Sequence, residues 1–109
     1  KAIKDMFKEK TEFIPSADLI IDETAKFYNL TTDDLVGQRR TRNTALARQI
    51  AMYLIRKLTN LSLTDIGDLF GGGTLTVING IRRIETNLSN SEQFAQTVKD
   101  ITANINARH

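Results

Sequence analysis

From Ser16 onward apolar residues recur at intervals of three and four, no proline follows Pro15, and a cluster of glycines, Gly71-Gly72-Gly73, separates two such runs. A period near 3.6 sustained over most of a chain, with strand-like alternation scarce, leaves a helical architecture as the natural outcome. The spacing therefore predicts an all-α fold, a compact helical bundle. With 109 residues, 40% of them hydrophobic, there is material for one core and one domain.

The pattern divides the chain. Residues 1–10 put Ile3, Met6 and Phe7 on one side of a lead-in helix that breaks before Pro15, so 1–14 reads as connecting helix and linker and 15–109 as the folded domain. Ser16 is placed to cap a helix running to about Asn29, with Ile20, Thr24, Phe27 and Tyr28 at core spacing; a short helical turn over 32–36 ends at Gly37. Residues 43–60 set Leu46, Ile50, Leu54 and Leu58 in one row, flanked by Ala47, Ala51, Met52, Tyr53 and Ile55, and such a helix is expected at the centre. Ser62 and Asp65 form a variant capping box opening a helix over 63–70, with Leu63, Ile66 and Leu69 or Phe70 inward. Residues 74–88 repeat Val77, Ile81, Ile84 and Leu88, and 89–91 reads as a polar break before a last helix carrying Phe94, Val98, Ile101 and Ile105.

Charge is distributed unevenly over these elements. Between Leu35 and Thr64 stand Arg39, Arg40, Arg42, Arg48, Arg56 and Lys57 with no acid, although the whole chain is only +2. A concentrated basic region in an otherwise acidic chain fits a phosphate partner. Arg42, Gln49 and Arg56 are seven apart, drift by ~20° per step on a helix, and form one stripe. The short helix, glycine turn and longer helix have the layout of a helix-turn-helix, whose second helix enters the major groove. On that helix Thr76, Asn79 and Arg83 share a face, and the small hydroxyls together with Gly80 are expected to let DNA approach closely.

Other classes are poorly supported. The chain has no Cys and one His, His109, which leaves little for a metal or thiol site. The glycines are not a phosphate loop, since the Gly-x-x-x-x-Gly-Lys-Ser/Thr pattern and its preceding strand are absent, and no enzyme is expected on this chain. No apolar run approaches the ~20 residues of a membrane span, no signal-peptide layout is seen, and a cytoplasmic, nucleoid-associated location is the default expectation. The start at Lys1 without Met fits a fragment or processed product of a longer protein. The amphipathic 1–10 stretch offers a weak contact with acidic phospholipid, but docking on a protein domain is preferred because Asp5 and Glu9 interrupt its basic side.

The runs Arg39-Arg40-Thr41-Arg42, Ala47-Arg48-Gln49-Ile50-Ala51-Met52-Tyr53-Leu54 and Leu58-Thr59-Asn60-Leu61-Ser62-Leu63-Thr64-Asp65-Ile66-Gly67 resemble the C-terminal DNA-binding domain of the bacterial chromosomal replication initiator DnaA. The resemblance covers about 15–88. It implies a bundle related to the Trp repressor that binds asymmetric A·T-rich boxes of double-stranded DNA at a replication origin, and since nothing in the sequence marks a dimer surface, monomeric binding is expected. It further implies that Arg40 reads the minor groove, that Arg48 and Gln49 grip phosphates, and that Arg56 lies on the DNA side. Arg42 and Thr64 are counted with them. ATP and magnesium are implied only for an ATPase domain preceding residue 1 in a longer parent, and no cofactor is expected on this chain.

One stretch departs from the family. Where it usually reads Arg-Asp-His-Thr-Thr-Val, this chain reads Gly72-Gly73-Thr74-Leu75-Thr76-Val77, so the Asp, His and first Thr that contact bases are replaced by Gly73, Thr74 and Leu75. Each good base contact is worth ~1–3 kcal/mol of discrimination, so major-groove preference is expected to be weakened or redirected. Replacing the acid at Gly73 also removes a favourable charge from the helix start, and some fraying of the first turn is expected before DNA binds. The candidates on this helix are Thr74, Leu75, Thr76, Asn79 and Arg83. A divergent paralogue, a designed or selected variant and an initiator whose box has a different major-groove half are the alternatives, with a helix-turn-helix transcriptional regulator beside them.

Overall fold

Ser16, Thr31, Thr41, Ser62 and Ser91 each stand in extended backbone, accept a hydrogen bond from the N–H three residues on, and start a helix. The hydroxyl satisfies one of the donors that a first turn leaves unbonded. The computed structural model describes residues 14–37 and 41–108, so the expectations for 1–10 and for Arg39 and Arg40 lie outside the described residues. Within them are α1 (Ala17–Phe27), α2 (Thr32–Val36), α3 (Arg42–Leu58), α4 (Leu63–Phe70), α5 (Thr74–Asn90) and α6 (Glu92–Asn106), and no strand. At α2 the cap is reciprocal: Asp34 N–H donates to Thr31 Oγ1, and the Asp34 carboxylate accepts from Thr31 N–H, both at 3.1 Å.

α3 is the axis of the fold. Ala47, Ile50, Ala51, Met52, Leu54 and Ile55 bury several of its sides against α1, α2, α4 and α5, while α6 packs on α1 and α5. Ile20, Leu35, Ile66, Val77, Ile84, Ile101 and Ile105 complete the core from the surrounding helices. Burying a branched side chain of this size contributes ~1.5–3 kcal/mol, so the core outweighs any single cap or ion pair. The buried hydroxyls are satisfied locally, Thr24 by the Ile20 carbonyl at 2.8 Å and Thr44 by Thr41 at 2.7 Å.

Three boundaries differ from the sequence reading. α1 ends at Phe27, because Asn29 takes a φ of 60° and turns the chain; Phe27 is exposed, meeting the half-buried Tyr28 edge-on rather than joining the core. α3 stops at Leu58, because the Thr59 hydroxyl donates to the Ile55 carbonyl and accepts from Leu61 N–H, which diverts the backbone from the helix. The expected polar break at 89–91 shrinks to one residue, since Ser91 both ends α5 and caps α6. Glu23 was not anticipated as a buried acid; it pairs with Arg108 and Lys26, and Arg108 also reaches Asp22 at 3.0 Å.

Candidate nucleic-acid interface

The geometry of the turn follows from its glycines. Gly71 closes α4 with a φ of 70°, in the left-handed region that costs other residues more, and Gly72 N–H donates to the Gly67 carbonyl at 2.9 Å. The chain folds back so tightly that a Cβ on Gly67 would stand 2.7 Å from the Gly72 oxygen. α5 then starts beside α4, with the Thr64 and Thr74 hydroxyls 3.4 Å apart. Both residues are exposed.

α5 buries Val77, Gly80 and Ile84. A Cβ on Gly80 would lie 3.2 Å from Met52 Sδ and 3.3 Å from Gln49 Cγ. This corrects the expectation that Gly80 opens the outer face to DNA: its missing side chain lets α5 cross close to α3. The outer face instead carries Leu75, Asn79, Arg82 and Thr86, all exposed and spaced by four, three and four. Thr76 and Arg83 lean toward α3, where they line a concavity of about 490 Å³ with Gln49, Asn79, Arg82 and Thr86. A second concavity of about 460 Å³ shares Gln49 and Arg83 and adds Arg42. No acid lines either one.

The basic residues of this region fall into two sets. Among the described residues none forms a hydrogen bond or ion pair with the guanidinium group of Arg42, Arg82 or Arg83. By contrast, Arg48 donates from Nε to the Leu35 carbonyl at 2.6 Å and from Nη2 to those of Asp34 and Gly37 at 3.2 and 3.0 Å. These are the last carbonyls of α2, a helix end where a cation is favourable, and Arg48 thereby ties α2 to α3. Arg56 donates to the Leu61 carbonyl at 3.1 Å in the α3–α4 turn. Of the stripe Arg42, Gln49 and Arg56, the first two therefore meet Arg83, and the third is engaged at the opposite end of α3. Arg82 and Thr86 were not among the residues singled out; their spacing of three and seven from Asn79 was the available signal.

An exposed second helix beyond a tight glycine turn, with uncompensated guanidinium groups beside it, defines a helix-turn-helix DNA-binding domain. The family model described as bacterial dnaA protein helix-turn-helix matches residues 17–84, more than half of the chain, and the chain belongs to that family. The match runs from the start of α1 into α5 and includes the whole turn. None of the described helices is long and apolar enough to cross a membrane.

Proposed function

We propose that this domain binds duplex DNA at A·T-rich replication-origin boxes, as the DNA-binding part of a replication initiator. The observation that carries the reading is the pair of acid-free concavities between α3 and α5 that share Gln49 and Arg83, one adding Arg82 and the other Arg42, the three guanidinium groups having no partner among the described residues. Free guanidinium groups on a concave face suit phosphates along a duplex, because each neutralised phosphate releases counterions. α5 enters the major groove with Thr74, Leu75, Thr76 and Asn79 toward base edges, and Gln49, Arg42, Arg83, Arg56 and Thr64 toward the backbone. Arg40 reads the minor groove. Arg48, whose donors hold the Asp34, Leu35 and Gly37 carbonyls at the end of α2, adds to the positive field. The domain acts as a monomer, nucleotide chemistry belongs to a separate ATPase domain of a longer protein, and the nucleoid is where it works.

A fluorescence-anisotropy titration against an A·T-rich origin box and a scrambled duplex, at two salt concentrations, tests this. Binding to both is expected, steeply weakened by salt, with a smaller preference for the box than a chain retaining the acidic and His base contacts would show. Absence of binding to either duplex at low salt contradicts the reading.

A further inference from the structure

Leu75 is 69% exposed, more than any other large hydrophobic residue described, and it stands in the first turn of α5. Its neighbours on that turn are Thr74 and Thr76, both exposed, and Gly73 adds no side chain to shield it. No polar atom at its tip can bond a base edge or a phosphate, so on a face otherwise suited to DNA its available contribution is apolar. In the major groove the apolar feature is the methyl on C5 of thymine. N-terminal residues of a recognition helix are those that reach base edges, which puts Leu75 at the right depth.

We propose that Leu75 is a specificity-determining residue that packs on a thymine C5-methyl, so that the first turn of α5 reads a methyl group beside the polar contacts of Thr74 and Thr76. The proposal rests on the DNA-binding reading given above. It differs from that reading in predicting what the major-groove preference is directed toward. Covering one methyl-sized group stabilises by ~0.8 kcal/mol, which is about a fourfold change in affinity.

The test uses the full chain and its Leu75→Ala variant, with duplexes enriched from a random pool and each thymine replaced singly by uracil, which removes the methyl and keeps the hydrogen-bonding groups. At one or two positions the unaltered chain is expected to lose about fourfold in affinity, while Leu75→Ala, already weaker on thymine, loses little more. Placing 5-methylcytosine against cytosine at those positions is expected to recover part of the gain for the unaltered chain alone. Equal losses in both chains would assign the methyl to another residue and overturn the proposal. Salt-sensitive binding with no uracil effect at any position would overturn it and leave the DNA-binding reading standing. Failure to bind any duplex would remove both.

Discussion

α4 and α5 flank the same glycine turn and begin in opposite ways. α4 starts on Ser62, whose hydroxyl accepts from Asp65 N–H at 3.1 Å, and Asp65 supplies an acid to its first turn. α5 starts on Gly73, with no side-chain cap, no acid in its first turn and no base in its last. Among the described helices α5 alone lacks a capping hydroxyl. The helix that supports the turn is thus secured by local chemistry, whereas the helix proposed to read DNA is secured by its seat on α3, through Val77, Gly80 and Ile84. Local sequence holds the scaffold, and tertiary packing holds the reader.

The largest test of this contrast lies in the turn. Gly67→Ala forces a Cβ against the Gly72 oxygen, and backbone displaced this way is expected to cost ~2–3 kcal/mol in denaturant unfolding and to misplace α5 on DNA. Loss below ~0.5 kcal/mol, within the range of an indifferent surface site, would show that the turn is looser than its geometry. Next come the caps. Ser62→Ala is expected to cost ~1 kcal/mol, while Gly73→Asp gains ~0.3–1 kcal/mol by supplying a cap and an acid to a site with open space around it. A gain well above ~1 kcal/mol for Gly73→Asp would mean that α5 depends on its cap more than on its seat on α3.

The smallest effect concerns the far side of the domain. The Arg108 guanidinium bonded to Asp22 is the main cause holding its carboxyl below the usual range, with Lys26 adding to it. A carboxyl depressed in the folded state stabilises fully above its unfolded pKa and loses that contribution as pH falls through the folded value. Asp22 is well solvated, so only a few tenths of a kcal/mol are expected. Thermal melts of the parent and Asp22→Asn, which leaves the Glu23–Arg108 pair in place, should converge at the acid end when followed downward from neutral pH; a constant gap would contradict the linkage.

Much of the scaffold was legible because it is written locally. Ser16 and Ser62, the apolar row of α3 and the glycine turn each need only neighbours within a few residues. Arg48 was legible as a base but not as a tie to α2, since its acceptors lie 11 to 14 residues away. Gly80 was misread for the same reason: Gln49 and Met52, which give its smallness meaning, come from another helix. Phe27 kept a core spacing but sits where α1 ends, and periodicity carries no information about where a helix loses its neighbours.

The α3–α5 face is proposed to meet the DNA backbone. The most direct test is the salt dependence of duplex affinity for the parent, Arg83→Ala and, as a cation on α6 outside both concavities, Lys99→Ala. A lost phosphate contact lowers the log-log slope by about 0.9. Arg83→Ala is predicted to show that drop, with weaker binding to every duplex, and Lys99→Ala to leave the slope unchanged. An unaltered slope for Arg83→Ala, or the same drop for Lys99→Ala, would place the DNA elsewhere.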